Sequence, residues 1–505
     1  MYSRIFTASV RGLESVCICV EADVSNGLPI FEMVGFLSSE VKEAKERVRT
    51  ALRNSGYLLP AKRITVNLSP ADVKKSGSGF DLPIAIAILA ALGEIDASKL
   101  ESTLVLGEIS LNGNIQPMKG ILPIVVKARE ESIKKCIVPK QNLEEAKRIP
   151  GIEIWAVESI QELVGYLKGK TYEEKTVIHI EETEEKQPDF SEINGQRMLR
   201  RACEVAVAGR HNFLMIGPPG SGKTMLARRI PGILPPMTEK EQLEVSKIYS
   251  ICGMLPENGR LLQHRPFRSP HHTISPNGLS GGGSIPKPGE ISLAHQGVLF
   301  LDELPEFKKT TLEILRQPME DKQICLVRQS GSYHYPADFM LVAAMNPCKC
   351  GYFPDRNRCN CRDNQIEGYL GKISRPLLDR IDICTEAPLM KYEELTGKAE
   401  NESSYSIRNR VIAAVERQKL RFAGTDIFYN SQIPSGSIDI YCPLREKQKK
   451  FMKNIYQSME LSARGYYKIL KVARTIADLE NSEEIEQKHL NEAVCYRMLD
   501  NKYWE

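Results

Sequence analysis

The chain has 505 residues, with 68 basic and 64 acidic side chains and a formal net charge of +4. That length exceeds what one hydrophobic core supports, so three or four structural units are expected. No apolar run approaches the roughly 20 residues of a membrane-spanning helix, which excludes that class, while near-neutrality neither demands nor excludes a nucleic-acid partner, because a local basic stripe disappears in a neutral total.

In chain order, the stretch MYSRIFTASVRGLESVCICV lacks a signal-peptide layout and reads as strand and turn. Ile64–Asn67 and Thr103–Leu106 are predicted strands. Phe80–Leu92 is Ala-rich, apolar and too long for a strand, so it is a buried helix. Ile121–Glu131 is a further helix and Lys135–Pro139 a strand. Residues 1–168 thus form a mixed α/β domain. Residues 169–188 include TYEEKTVIHIEETEEKQ, with six Glu and two Lys, the composition of an acidic linker. Residues 189–388 repeat strand, loop and helix, as a parallel α/β sheet does. Over 389–505, apolar residues recur at helical spacing in Ser404–Arg421, Leu444–Met459, Ser462–Leu479 and Ile485–Tyr496. Asn481 and Glu484 are spaced as a capping box before the last of these. Thirteen cysteines is an odd number, and Cys136, Cys203, Cys252, Cys325 and Cys384 sit singly in apolar stretches. That is the pattern of reduced, buried thiols, so the expected location is the cytoplasm.

The chemistry concentrates in the parallel-sheet region. Phe213–Ile216 is a short apolar strand, followed by Gly217, Pro218, Pro219, Gly220, Ser221, Gly222, Lys223 and Thr224 and then a helix. This is G-x-x-x-x-G-K-[ST] in the required strand–loop–helix context. Glycines let backbone N–H groups turn toward phosphate oxygens, and the helix N-terminus adds partial positive charge. Lys223 is suited to the β- and γ-phosphates of ATP and Thr224 to Mg²⁺. The apolar strand Val298–Leu301 ends in Asp302, suited to hold Mg²⁺ through its water shell, and Glu303, suited to polarise an attacking water. A third apolar strand from Met340 ends in Asn346, suited to touch that water or the γ-phosphate. Arg380, in PLLDRID, has two readings: a finger reaching a neighbouring subunit's γ-phosphate, or an intrachain pair with Asp382. Arg464 opens a helix near the C-terminus and is a candidate γ-phosphate contact in cis; Arg474 on the same helix is its rival.

The motifs FLMIGPPGSGKTMLARR, RPFRSPHHTIS, GGGSIPKPGEISLAHQGVLFLDEL and SRPLLDRIDI resemble the magnesium-chelatase-like branch of AAA+ ATPases. Over nearly the whole chain the arrangement resembles the YifB/ComM family, which places a Lon-protease-like domain before this ATPase. The resemblance implies a Lon-protease-like α/β domain, a central AAA+ P-loop domain and a C-terminal helical lid. It further implies a homo-hexameric DNA motor that drives branch migration, with single-stranded or branched DNA as partner. It implies Arg380 as the trans-acting finger, Asn346 as sensor 1 and Arg464 as sensor 2. It also implies that the insertion Thr238–Glu290 faces a central pore. That insertion opens on Thr238 and Glu241, spaced as a capping box, and carries Arg260, His264, Arg265, Arg268, His271 and His272. These either contact DNA phosphates or, for Arg265 and Arg268, order the loop through backbone carbonyls. Leu326–Tyr335 reads as a hairpin whose Arg328, Tyr333 and Tyr335 either face single-stranded DNA or, for the tyrosines, pack in a core.

A Lon-type dyad needs a serine nucleophile and a lysine of lowered pKa. Aligned on Lys75–Asp81, the family's serine position falls on Gly79 and its lysine position on Leu122. Ser76 and Ser78 lie near the first and Lys119 near the second. The domain is therefore expected to be non-proteolytic. Finally, Cys348, Cys350, Cys359 and Cys361 form two C-x-C pairs eight residues apart. They are either four ligands of a structural Zn²⁺ or four loop thiols.

Overall fold

A computed structural model describes residues 1–173, 175, 188–256, 258–283, 286–328, 331–390, 392 and 401–504. The expected linker 169–188 lies mostly outside these. The chain divides into two compact units. The first joins Met1–Thr183, Glu239–Leu262 and Cys325–Tyr335; the second joins Glu184–Thr238, Gln263–Ile324 and Pro336–Glu505. Part of the expected insertion and most of the expected hairpin thus fold with the N-terminal residues, while the lid region folds with the parallel sheet.

The N-terminal residues of the first unit supply nine strands: β1 (Tyr2–Arg11), β2 (Glu14–Ser25), β3 (Ile30–Val34), β4 (Arg63–Ser69), β5 (Thr103–Val105), β6 (Glu108–Ile109), β7 (Ile115–Gln116), β8 (Lys135–Pro139) and β9 (Glu153–Val157). Seven form one mixed sheet in the order β3-β4-β2-β1-β5-β8-β9. β1 and β2 pair antiparallel, and the parallel pairs β5–β8–β9 continue the sheet. The helix Asp81–Ala91 is apolar on every side and is buried along nearly all its length. Its one charge, Asp81, is fully buried and accepts a two-pronged bond from Arg47 (2.8 and 2.9 Å). Burial raises the Asp81 pKa while Arg47 opposes the rise. The helix Ile121–Glu130 packs on the opposite face with Cys136, Val138, Leu243 and Leu261. The last two come from the expected insertion, whose helix Glu239–Cys252 is thereby held in this unit. Ser250 also bonds the buried Glu145, and Ser250 O accepts from Gly120 N at 3.0 Å.

In the rest of the chain β10 (Phe213–Ile216) and β11 (Phe267–Arg268) precede the short pair β12 (Gly281–Gly282) and β13 (Lys287–Pro288). There follow β14 (Val298–Leu301), the paired β15 (Gln323–Arg328) and β16 (Gly331–Pro336), β17 (Met340–Met345) and β18 (Ile383–Glu386). Five form a wholly parallel sheet in the order β11-β14-β17-β10-β18. Residues of β10, β14 and β17 are buried on both faces, which is why these strands read as unbroken apolar runs rather than alternating ones. The C-terminal helices Ser404–Arg421, Glu446–Ser458, Ala463–Leu479 and Gln487–Cys495 share a core with helix Arg197–Gly209.

Two local expectations are corrected. Asn481 does not cap the last long helix: it takes a left-handed φ of +61°, and Glu486 and His489 form the capping box. Cys325 is exposed and Cys252 half-buried, because each lies on an element with only one covered face; Cys136, Cys203 and Cys384 are buried.

Candidate active site

Three strands deliver the candidate residues to one place. β17 is paired in parallel with β10 (Ile216↔Met345) and with β14 (Leu301↔Ala343), so their C-terminal ends lie side by side. β10 runs into the loop 217–222, β14 into Asp302-Glu303, and β17 into Asn346. Gly220 and Gly222 take φ of +77° and +84°, turning the loop tightly before helix Lys223–Ala227 begins. Lys223 is buried. Its ammonium donates to Gly217 O (2.8 Å), Pro218 O (2.9 Å), Ser221 Oγ (3.2 Å) and Asn346 Oδ1 (3.3 Å). Burial lowers its pKa to about 8, and the Asp302 carboxylate partly opposes that. Thr224 Oγ1 donates to Asp302 Oδ2 at 2.6 Å, bringing a hydroxyl and a carboxylate together, the hard oxygen donors Mg²⁺ takes. Asp302 Oδ1 accepts from Glu303 N at 2.9 Å. Glu303 itself is held at φ +53°, a strained conformation for a non-glycine residue.

Two further residues support the site. Gln196 donates to Ser221 O (3.1 Å) and Pro388 O (2.7 Å), tying the phosphate loop to the chain beyond β18. A lone glutamine carries no signal that would have found it. His272 faces Glu303, Nδ1 to Oε2 at 3.4 Å, with its ring against His271 and edge-on to Phe307. The expected DNA-phosphate contact at His272 is thus turned toward Glu303 instead.

The other basic candidates separate. Arg265 is buried and donates to the carbonyls of Pro235, Gln296 and Pro236, so it orders the loop. Arg268 makes a two-pronged bond to Glu290. Arg260 and His264 are exposed. On the β15–β16 pair Arg328 is exposed, Arg11 lies over the Tyr333 ring at 5.9 Å, and Tyr335 is buried, so core packing is its role.

The alternative Arg380–Asp382 pair is not formed. Arg380 pairs with Glu320 at 2.6 Å and donates to Pro376 O at 2.6 Å. Asp382 instead faces His211 (3.6 Å) and Lys468 (3.7 Å), whose charge holds its pKa well below the usual range despite burial. Arg464 is exposed in the first turn of helix Ala463–Leu479. Its rival Arg474 is buried and bound to Asp478, Ser482 O and Glu483 O. Those partners fix it as a structural residue.

In the first unit, a Cβ on Gly79 would fall 2.3 Å from Met118 Cε. Leu122 is fully buried. The Ser78 hydroxyl donates to Glu108, and Lys75 is buried and donates to Pro70 O. Among the described residues, no lysine ammonium bonds Ser78.

Beyond Asn346, the thiols of Cys348, Cys350, Cys359 and Cys361 all lie within 4.8 Å of one another. Among the described residues no helix is long and apolar enough to cross a membrane.

Three family models match in succession: "Subunit ChlI of Mg-chelatase" over residues 20–142, "Magnesium chelatase, subunit ChlI" over 189–395, and its C-terminal counterpart over 401–497. YifB of Salmonella typhimurium LT2, described as uncharacterized, is 42% identical over 497 residues, 98% of this chain and 97% of its own. Competence protein ComM of Haemophilus influenzae is 41% identical over 505 residues, again 98% and 97%. The chain belongs to the YifB/ComM family. A shorter match, 32% over 145 residues, is to Lon protease 2 of Bacillus subtilis and covers 28% of this chain and 26% of that one. Membership brings the magnesium-chelatase-like AAA+ class, which implies ATPase activity, ATP and Mg²⁺ as cofactors, and an oligomeric form. The YifB/ComM arrangement also accounts for the order of domains: Lon-like residues first, then the parallel-sheet ATPase and its helical C-terminus.

Proposed function

We propose that this YifB/ComM-type chain is one subunit of a hexameric, ATP-driven motor that translocates or branch-migrates DNA. The observation that carries the ATPase part is the meeting of Lys223, Thr224, Asp302, Glu303 and Asn346 at three adjacent strand ends. The DNA part rests on full-length similarity to a competence protein.

In this reading the loop N–H groups and Lys223 hold the nucleotide phosphates, and Thr224 and Asp302 hold Mg²⁺. The metal would supply charge stabilisation at the phosphates. Glu303 takes a proton from the attacking water, and Asn346 orients that water from the neighbouring strand end. Arg380 leaves Glu320 to serve a neighbouring subunit's site, and Arg464 contacts phosphate from the lid. The acidic stretch 169–188 is a linker, 189–388 the motor core and 389–505 its lid. The N-terminal domain does not cleave peptides, since neither a nucleophile at Gly79 nor a lysine at Leu122 is present.

The test is the ATPase rate with and without single-stranded and branched DNA, over a range of salt, beside a Lys223→Ala control. DNA-stimulated turnover that falls with salt is expected, because phosphate contacts weaken as salt rises. No stimulation and no binding at low salt would sink the DNA reading. The second reading, a chelatase-type remodeller of a protein partner, is favoured by the matched ChlI models. It predicts turnover indifferent to DNA and stimulated by a protein partner.

A further inference from the structure

The cysteine cluster is assembled on the loop that follows Asn346. Sγ separations are 3.3 Å (Cys348 to Cys350), 3.5 Å (Cys350 to Cys359) and 3.7 Å (Cys348 to Cys359). Zinc–sulfur bonds of about 2.3 Å in a tetrahedron put sulfur atoms about 3.8 Å apart, so these four converge on a common centre of the right size. Cys348 and Cys359 are buried, Cys350 and Cys361 half-buried. Backbone donors point at the sulfurs: Phe353 N reaches Cys348 Sγ at 3.4 Å, and the N–H groups of Tyr352 and Cys361 face Cys350 and Cys359. Such outer bonds orient metal-binding thiolates.

Charge agrees with geometry. Four thiolates around a dication leave a net charge of −2. Within 348–363 the side chains of Lys349, Arg356, Arg358 and Arg362 stand against Asp355 and Asp363, an excess of two positive charges. Arg356 also bonds Cys361 O at 3.0 Å, holding the second pair to the loop.

The cluster touches the nucleotide machinery. Gly351, between the pairs, lies so close to the phosphate loop that a Cβ there would fall 2.4 Å from Pro219 Cδ. Asn346 stands two residues before Cys348. On the far side Phe353 meets the Tyr503 ring at 6.1 Å.

We propose that Cys348, Cys350, Cys359 and Cys361 bind one structural Zn²⁺, and that the loaded knuckle braces Pro219 and Asn346 in their working positions. With four thiolates the shell is closed, so the metal takes no part in the chemistry. Untagged full-length protein should carry about one zinc per chain by elemental analysis. Cys350→Ser and Cys361→Ser should lose it, whereas Cys325→Ser, at an exposed cysteine outside the cluster, should keep it. Wild-type protein stripped by a chelator should bind a fluorescent ATP analogue about tenfold more weakly and recover when zinc is returned. Less than a third of an equivalent of zinc, an equivalent of iron in its place, or a disulfide within the cluster overturns the metal assignment. Unchanged nucleotide affinity after complete zinc removal overturns the brace.

Discussion

Replacing Gly351 by alanine isolates the contact between the cysteine loop and the phosphate loop. Gly351 sits at φ +85°, where an L side chain costs about 1–2 kcal/mol. The added Cβ would also stand 2.4 Å from Pro219 Cδ, whereas carbon pairs settle at about 3.5 Å or more, so something must give by about 1 Å. The proline ring is part of the phosphate-loop backbone and cannot rotate away. A shift of that size beside a reacting group costs up to about a hundredfold in rate. Two controls divide the effect. Gly424 has φ +80° and nothing within 4 Å, so Gly424→Ala carries backbone strain alone. Gly368 lies within helix Asp363–Leu370 with nothing within 4 Å, so Gly368→Ala should be neutral or stabilise by about 0.5–1 kcal/mol. The assays are titration with a fluorescent ATP analogue, steady-state hydrolysis and thermal melting of all three variants. Gly351→Ala should lose ATP affinity and turnover while Gly424→Ala loses only stability. If both variants keep wild-type affinity and turnover, the contact does not position the phosphate loop.

Burial lowers Lys223 to about 8, so its positive charge is present below that pH and lost above it. ATP affinity should therefore stay level from pH 7 to 7.5 and fall toward tenfold per unit above about 8; an unchanging binding constant up to pH 9.5 would contradict this. Glu303→Gln should keep ATP affinity yet lower kcat at least about a hundredfold, measured by phosphate release. Arg380→Ala should bind ATP without hydrolysing it, and mixing with subunits that retain Arg380 should partly restore turnover; failure in every mixture would mean that Arg380 serves its own chain. Arg474→Ala strips one of the cations at the buried Asp478 and should cost about 3–5 kcal/mol in thermal unfolding, whereas Arg464→Ala should melt like wild type and be impaired only in turnover.

The strands that carry the site were legible because their signal is local. Phe213–Ile216, Val298–Leu301 and Met340–Met345 are apolar on both faces, and each is followed at once by a polar residue or a glycine-rich turn. What brings them together was not local. β17 lies between β10 and β14 although it follows both in sequence, and no spacing rule encodes that order. The capping-box spacing of Thr238 and Glu241 marked the start of the helix Glu239–Cys252 but not its cover, which is Ile121, Leu122 and their neighbours. Arg380 illustrates the same limit: of its two readings the pair with nearby Asp382 is not formed, because Glu320, sixty residues away, takes it. The capping box at Asn481 and Glu484 was a spacing match without the backbone conformation to use it.

The interleaving of the two units bears on how the protein can be cut. The chain passes from one unit to the other after Thr183, Thr238, Leu262, Ile324 and Tyr335. A protease that nicks the acidic stretch once therefore severs one of five threads, and the two fragments should still travel as one particle until denatured. By the same reasoning, residues 1–183 produced alone would lack Leu243 and Leu261 and expose the apolar face of Ile121–Glu130. The N-terminal unit is thus completed by segments from the middle of the chain rather than folded from its own end alone.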